Sequence, residues 1–161
     1  MNLYLDMDGV LADFNAGFEL LFGMRTETFR QMHGEQADDV MWPTINAHPD
    51  FFRDLPPCQG ALEFFKGVRH LAPAILTACP KVNYPHVASL KREWVQQHLG
   101  HDITVLPVMG GRNKPLFMHS KGDILIDDHI KNINAWNAAG GIGILHNGVW
   151  ARTMGALEQA A

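Results

Sequence analysis

Two aspartates follow a short apolar run at the start of the chain. The run 3–5 (LYL) leads into Asp6 and Asp8, and Gly9 follows directly. Two carboxylates this close repel each other, which favours protonation of one of them unless a cation lies nearby. The pair therefore indicates a bound cation, or two carboxylates with different tasks, and we expect both.

Five short apolar runs along the chain alternate with amphipathic patterns at helical spacing. This alternation is typical of a parallel sheet covered by helices on both faces, so we predict an α/β, Rossmann-like fold. In such folds ligands bind beyond the carboxyl ends of the strands. The predicted strands are 2–6, 74–78, 103–108, 123–127 and 141–145, and the predicted helices are 60–72, 85–100, 130–141 and 149–161.

The stretch between the first strand and the first regular helix does not fit this alternation. It contains helical pieces and then a segment rich in prolines and aromatic residues. We interpret residues 14–58 as a small helical cap over the carboxyl edge of the sheet. The core domain would then consist of residues 1–13 and 59–161.

The ends of other predicted strands carry further oxygen-bearing side chains. Thr77 lies at the end of the second strand, and Asp127 and Asp128 lie at the end of the fourth. In a parallel sheet these residues meet the first aspartate pair at one edge. Carboxylates in that number suit Mg²⁺, which binds a few carboxylates together with water and phosphate oxygens. The predicted metal ligands are Asp6, Asp8, Asp127 and Asp128.

Basic residues just before the fourth strand are suited to face the charge of a phosphate. Arg112, a predicted substrate contact, and Lys114 lie in GGRNK, and Lys121 follows in SKGD. In the predicted reaction Asp6 attacks phosphorus and forms an aspartyl-phosphate, a known use of carboxylate nucleophiles. Asp8, two residues on, points to the same side of the extended chain. It would protonate the leaving alcohol and then deprotonate the attacking water.

The order of these motifs resembles that of the haloacid dehalogenase superfamily: DMDGV, LTA, a lysine and LIDD. Within it the chain resembles the 5′(3′)-deoxyribonucleotidases over most of residues 1–135, in DMDGVLADFNAGF, FFRDLPPCQGALEFF, LKREWVQQHLG, RNK and GDILIDDH. The resemblance implies that Asp6 is the nucleophile and Asp8 the acid and base, with its backbone carbonyl on Mg²⁺. It also implies that Thr77 and Lys114 hold the phosphate.

The last motif and its spacing differ in detail from the family pattern. The superfamily often has glycine-aspartate there, so Asp128 aligns with the metal-binding aspartate and Asp127 becomes its neighbour. Family members often have threonine-serine where this chain has Thr-Ala at 77–78, which removes one phosphate-binding hydroxyl. The interval after Lys114 is also longer than in relatives, which leaves Lys121 as the alternative phosphate-site lysine.

Aromatic residues of the predicted cap are candidates for a wall against which a nucleobase stacks. They include Phe14, which the resemblance favours, and also Trp42 and Phe52. Phe18 and Phe51 belong to the same group, but for them packing of cap against core is at least as good an interpretation. An apolar wall near the sugar would favour deoxyribose, because burying a 2′-hydroxyl without a partner is unfavourable.

Composition narrows the classes of partner. The 161 residues carry a net charge of −4 with a pI near 6.1, which argues against a nucleic-acid polymer or an anionic membrane as partner. The start carries no basic and apolar leader, and no apolar run is long enough to span a membrane. Two cysteines without a disulfide pattern favour a reducing, cytoplasmic setting. A homodimer is one of the assemblies that the sequence allows.

Other interpretations of the motifs fit less well. A calcium-binding loop requires an oxygen ligand where Val10 stands, and a receiver domain leaves Asp127 and Asp128 without a role. The histidines show no zinc-binding pattern, although His129 is a candidate contact behind the metal site, and Cys79 is interpreted as a buried filler. We therefore predict a Mg²⁺-dependent phosphomonoesterase acting on nucleoside monophosphates. Alternatives are the same chemistry on another small ester, such as a sugar phosphate, and a non-catalytic relative that binds phosphate or metal.

Overall fold

A central sheet of five parallel strands organises the protein. The computed structural model describes residues 1–160. The strands are β1 (Leu3–Leu5), β2 (Ala74–Cys79), β3 (Val105–Met109), β4 (Ile124–Asp127) and β5 (Ile142–Leu145). Their order is β3-β2-β1-β4-β5, and every neighbouring pair is parallel. The five predicted strands are confirmed, and each end lies within two residues of the prediction.

The central strand β1 is buried and contributes to two apolar cores. Leu5 pairs in register with Ile75 of β2 and with Ile126 of β4. Because successive side chains alternate across a sheet, Leu3 and Leu5 enter one core while Tyr4 enters the other. A strand covered on both faces requires a continuous apolar run, which this strand provides.

Helices cover both faces of the sheet, which confirms the predicted α/β, Rossmann-like architecture. They are α1 (Phe14–Phe22), α2 (Thr26–His33), α3 (Ala37–Ala47), α4 (Ala61–Val68), α5 (Tyr84–His98), α6 (Ile130–Ala138) and α7 (Trp150–Ala160). Phe65, Trp94 and Leu157 extend from α4, α5 and α7 into the larger core. Trp136 of α6 packs in the smaller core, with its ring 5.3 Å from that of Tyr4. No helix within residues 1–160 has the length and apolar character needed to cross a membrane.

Three helices, α1 to α3, lie between β1 and α4, in the segment predicted to form a cap. Phe18, Phe29 and Met41 of these helices belong to the same apolar core as Leu5 of the sheet. The inserted helices are thus held by the packing that also holds the sheet. The division into a cap of residues 14–58 and a separate core stays a prediction.

The strand order brings together the ends of the strands that carry the predicted site residues. In the order β2-β1-β4, the central strand has both relevant neighbours directly beside it. Asp6 follows β1, and its backbone N–H donates to the carbonyl of Ile126 at 2.8 Å, which continues the pairing with β4. Asp127 ends β4, and Thr77 lies near the end of β2. These side chains consequently share one edge of the sheet.

Candidate active site

A tight turn after β1 places the first aspartate pair. The carbonyl of Met7 accepts backbone N–H groups from Leu11 at 2.8 Å and from Ala12 at 2.9 Å, so the chain turns immediately beyond the strand. The Met7 side chain is fully buried. Asp6 and Asp8, on either side of it, keep 9% and 25% of their side-chain surface exposed. Both carboxylates therefore reach the cleft at the sheet edge.

Gly9 allows this turn to approach the end of β4 closely. Its φ of +80° lies in the left-handed region that favours glycine. A Cβ atom at this position would clash with Oδ2 of Asp128. The absence of a side chain therefore brings the backbone of the aspartate turn against the carboxylate of Asp128.

Lys114 lies between two carboxylates beneath the cleft. Its Nζ is 2.8 Å from Oδ1 of Asp6 and 2.6 Å from Oδ2 of Asp127, and its side chain is fully buried. Burial disfavours the charged amine, but the attraction and hydrogen bonds of Asp6 and Asp127 outweigh it and raise the pKa of Lys114. The lysine is thus held as a cation directly beside Asp6.

Asp127 and Asp128 have different surroundings although they are neighbours. Asp127 is fully buried and accepts hydrogen bonds from the His129 backbone N–H at 2.7 Å and from Asn132 Nδ2 at 3.0 and 3.2 Å, as well as from Lys114. Asp128 is exposed and lines the cleft. The geometry therefore gives Asp127 the task of fixing Lys114 and presents Asp128 to a ligand.

The acidic groups crowd one another enough to affect their protonation. Burial, helped by the charges of Asp127, Asp128 and Asp8 and opposed by Lys114, raises the pKa of Asp6 to about 7. Desolvation in the cleft and the charge of Asp127 raise the pKa of Asp128 to about 6. One carboxylate oxygen from each of Asp6, Asp127 and Asp128 lies within 4.8 Å of the others. A hard divalent cation fits this donor set, because it binds oxygen ligands and favours their ionised forms.

A second buried lysine, Lys91 of α5, stands on the other side of the aspartate pair. Its Nζ lies 2.5 Å from Oδ2 of Asp8, 2.9 Å from Oγ1 of Thr77 and 2.6 Å from the carbonyl oxygen of Ala78. The ring of Phe52 lies 4.9 Å from the same nitrogen. Lys91 was not among the predicted site residues, although its helical neighbours carried a signal. A lysine in a row of buried apolar residues requires a polar partner. The residues three and four positions away from Lys91 on both sides are apolar and buried: Val87, Ala88, Trp94 and Val95.

The cleft in front of the acidic edge has an apolar side wall. Its volume is about 260 Å³, and its lining includes Phe14, Met41 and Trp42 as well as Asp128. Arg30 of α2 also lines it, and is held by Asp38 at 3.0 Å. The cleft therefore combines a carboxylate end with an aromatic wall contributed by the inserted helices.

Several predicted residues lie outside this cleft. Phe52 is buried behind Lys91, and Phe18 and Phe51 are buried in the packing of the inserted helices. Arg112 is exposed on the 3₁₀ segment Gly111–Phe117 and does not line the cleft. Its contact with substrate stays a prediction. Lys121 is exposed as well, and its aliphatic chain lies against Gly140.

His129 contacts a residue of the site through its backbone, whereas Cys79 is buried at the end of a strand. His129 begins α6; its backbone N–H binds Asp127, and its Nδ1 accepts from the N–H of Lys131 at 3.3 Å. Cys79 is buried at the end of β2, and burial raises the pKa of its thiol. It therefore remains a neutral thiol at neutral pH.

Comparison with solved structures places the fold in a known class. A haloacid dehalogenase-superfamily hydrolase from Ehrlichia chaffeensis superposes with a TM-score of 0.62 over 99% of this chain and 97% of that one, at 12% identity. A hydrolase from Streptococcus pneumoniae gives 0.53 over 93% and 94%, at 13% identity. At such identities the likeness concerns the fold alone. The fold is that of the haloacid dehalogenase-like hydrolases.

Sequence comparison gives the family within this class. The family model described as 5′ nucleotidase, deoxy (Pyrimidine), cytosolic type C protein matches residues 1–160. The human cytosolic-type 5′(3′)-deoxyribonucleotidase is 34% identical over 149 residues, which cover 80% of this chain and 70% of the human protein. The chain belongs to this 5′ nucleotidase family. The predicted family and the predicted enzyme class, a phosphatase resembling the 5′(3′)-deoxyribonucleotidases, are confirmed.

Proposed function

We propose that the protein hydrolyses nucleoside monophosphates, preferably deoxy ones, in a Mg²⁺-dependent reaction through an aspartyl-phosphate on Asp6. The observation that carries the proposal is the contact of Asp6 with the buried cation Lys114, at the sheet edge that also presents Asp8 and Asp128. The names of the family and of the human relative support the substrate class.

The hydrogen bonds of Asp6 distinguish its two oxygens. Oδ1 accepts from the Met7 backbone N–H at 2.8 Å and lies 2.8 Å from Lys114 Nζ. Oδ2 is therefore the oxygen available to attack phosphorus. The attack forms the Asp6–phosphorus bond and breaks the bond from phosphorus to the sugar oxygen, which takes a proton from Asp8.

The second step returns the enzyme to its starting state. Asp8 removes a proton from a water molecule, whose oxygen attacks phosphorus and displaces the carboxylate of Asp6. Inorganic phosphate leaves, and Asp8 is protonated again. Throughout, Lys114 neutralises charge that gathers on Asp6 and the phosphate, without itself giving up a proton.

The acidic edge would hold the metal through this chain's own oxygens. Asp6, Asp128 and the backbone carbonyl of Asp8 are the proposed ligands, with Asp127 beside them as the partner of Lys114. A bound Mg²⁺ supplies screening between the carboxylates and the substrate phosphate and polarises the phosphoryl oxygens. The carboxylate oxygens of Asp6, Asp127 and Asp128 lie within 4.8 Å of one another, which supports the choice of Asp6 and Asp128.

Substrate selection is proposed to occur at the aromatic wall. Phe14 and Trp42 line the cleft and offer flat surfaces to a nucleobase. An apolar surrounding of the sugar would disfavour a 2′-hydroxyl without a partner, which supports a deoxyribose preference. A cytoplasmic setting is also proposed, on the basis of the free cysteines and the cytosolic type of the human relative.

The test is phosphate release from a panel of deoxyribonucleoside, ribonucleoside and sugar phosphates, with Mg²⁺ and with EDTA. We expect Mg²⁺-dependent turnover of deoxynucleotides above the other esters, with loss of at least about 1,000-fold in Asp6→Asn. Asp39→Asn, at an exposed position of α3, is the matched control and should keep full activity. Turnover of sugar phosphates alone would show that the substrate class is sugar phosphates and not nucleotides. Absence of turnover with every ester would overturn the proposal and favour a non-catalytic relative.

A further inference from the structure

The ammonium group of Lys91 is enclosed at the back of the proposed active site. An ammonium has three N–H donors, and Lys91 has three acceptors, which are Asp8 Oδ2, Thr77 Oγ1 and the Ala78 carbonyl. The Phe52 ring lies over the same nitrogen. With every donor engaged and the side chain fully buried, Lys91 has no N–H left for a substrate phosphate. Its effect on the reaction must pass through the groups it already holds.

Lys91 forms a hydrogen bond with only one of the two carboxylate oxygens of Asp8. Oδ2 accepts the hydrogen bond at 2.5 Å, whereas Oδ1 is buried and has no hydrogen-bond partner among residues 1–160. A buried oxygen without a partner is costly unless a ligand or water completes it. The exposed quarter of the Asp8 side chain therefore does not include Oδ1, and the carboxylate is fixed through Oδ2 alone.

The other contacts of Lys91 hold it in place. Thr77 and Ala78 belong to β2, while Lys91 itself belongs to α5. Lys91 thus connects helix α5, the end of β2 and the turn after β1, which contains Asp8. A carboxylate fixed in this way loses little freedom when it must align with a proton acceptor.

We propose that Lys91 is a positioning residue that holds the Asp8 carboxyl group by Oδ2 and so keeps it aligned for the proton transfer in both steps of the reaction. The inference rests on the proposed function and deepens it. In the first step the proton passes from the Asp8 carboxyl group to the leaving sugar oxygen, and in the second it passes from water to the Asp8 carboxylate. Lys91 keeps its three protons throughout.

The dependence on the leaving group separates this role from a purely structural one. An alkoxide leaving group requires protonation, whereas a nitrophenolate is a stable anion and requires little. The ratio kcat/KM reports binding and the first chemical step. Losing the alignment of Asp8 should therefore affect a nucleotide much more than p-nitrophenyl phosphate, while a general loss of structure should affect both equally.

The experiment measures kcat/KM with Mg²⁺ for the best nucleotide of the panel and for p-nitrophenyl phosphate. For Lys91→Met we expect a fall of about 100-fold with the nucleotide and less than about 10-fold with the aryl ester, within the usual range for general acid catalysis. Asp8→Asn should show the same selectivity. Lys66→Met, at an exposed position of α4, is the matched control for loss of a lysine and should behave as wild type.

A double-variant comparison completes the test. If Lys91 acts through Asp8, adding Lys91→Met to Asp8→Asn should lower the nucleotide kcat/KM by less than about 3-fold. This comparison also decides the matter if Lys91→Met alone fails to fold, because the double variant leaves no unpaired carboxylate. Equal falls for both esters, or a further loss above about 10-fold in the double variant, would overturn the inference while wild-type activity leaves the proposed function intact. Inactive wild-type protein would overturn both.

Discussion

At the scale of single residues, the two candidate phosphate-site lysines have different environments. Lys114 is buried with its amine on Asp6 and Asp127, whereas Lys121 is exposed and lies along Gly140. The 3₁₀ segment Gly111–Phe117 carries Lys114, and the side chain of this lysine is buried at the sheet edge. The contacts therefore favour Lys114.

One pair of variants can decide which of the two lysines, Lys114 or Lys121, acts at the phosphate site. Lys114→Met should lower kcat by at least about 100-fold, because it removes the cation beside Asp6, the proposed nucleophile. Lys121→Met, the matched control, should stay within about 3-fold of wild type. Steady-state kinetics with Mg²⁺ decide between them, with circular dichroism as a check on folding. The reverse order of effects would assign the phosphate site to Lys121.

At the scale of elements, α7 is fastened beside the end of β5 by a buried histidine. His146 is 4% exposed, its Nδ1 lies 2.8 Å from Thr153 Oγ1, and its ring centroid lies 4.1 Å from that of Trp150. Burial lowers the pKa of His146. The folded protein therefore holds this imidazole in its neutral form.

The lowered pKa predicts how stability responds to pH. The unfolded chain protonates this histidine near its ordinary pKa of about 6.5, above the folded value. Between the two values the unfolded state binds more protons, so the contribution of His146 is fully present above about pH 6.5 and is lost as pH falls below it. His146→Gln should flatten this part of the unfolding free-energy curve, measured by urea denaturation between pH 7.5 and about 5. His70→Gln, at an exposed position, is the control, and an unchanged slope in His146→Gln would contradict the assignment.

The elements also show what the sequence could and could not predict. The strands were predictable because short apolar runs such as that of β1, alternating with amphipathic helical patterns, are typical of strands covered on both faces. Helix α3 was harder to predict, because it includes Pro43, a residue that removes a helical N–H donor. Lys91 was missed because a lysine in a helix usually lies at the surface, and only its partners Asp8 and Thr77, distant in sequence, make its burial favourable.

The sequence also could not predict which aromatic residues of the inserted helices line the cleft. Phe14, Phe18, Phe51 and Phe52 are alike in residue type and lie in one segment, yet only Phe14 of these four lines the cleft. Their separation depends on which face each side chain takes in a shared core. That information lies in tertiary packing and not in local sequence pattern.

At the scale of the whole molecule, the inserted helices and the sheet act together on one cleft. The sheet edge provides Asp6, Asp8 and Asp128, and the inserted helices provide Phe14 and Trp42. Both parts share one apolar core, so the aromatic wall is held at a fixed place relative to the acids. The proposed base-binding wall and the proposed phosphoryl-transfer site are therefore parts of one cleft.

The central claim is the covalent intermediate on Asp6, and it can be observed directly. Enzyme quenched during turnover of its best nucleotide would be treated with borohydride, which reduces an aspartyl-phosphate to homoserine, and then digested for mass spectrometry. We expect homoserine at position 6, and no homoserine there without substrate or in Asp6→Asn. An active enzyme that carries no modification at position 6, or an Asp6→Asn variant that retains turnover, would contradict it.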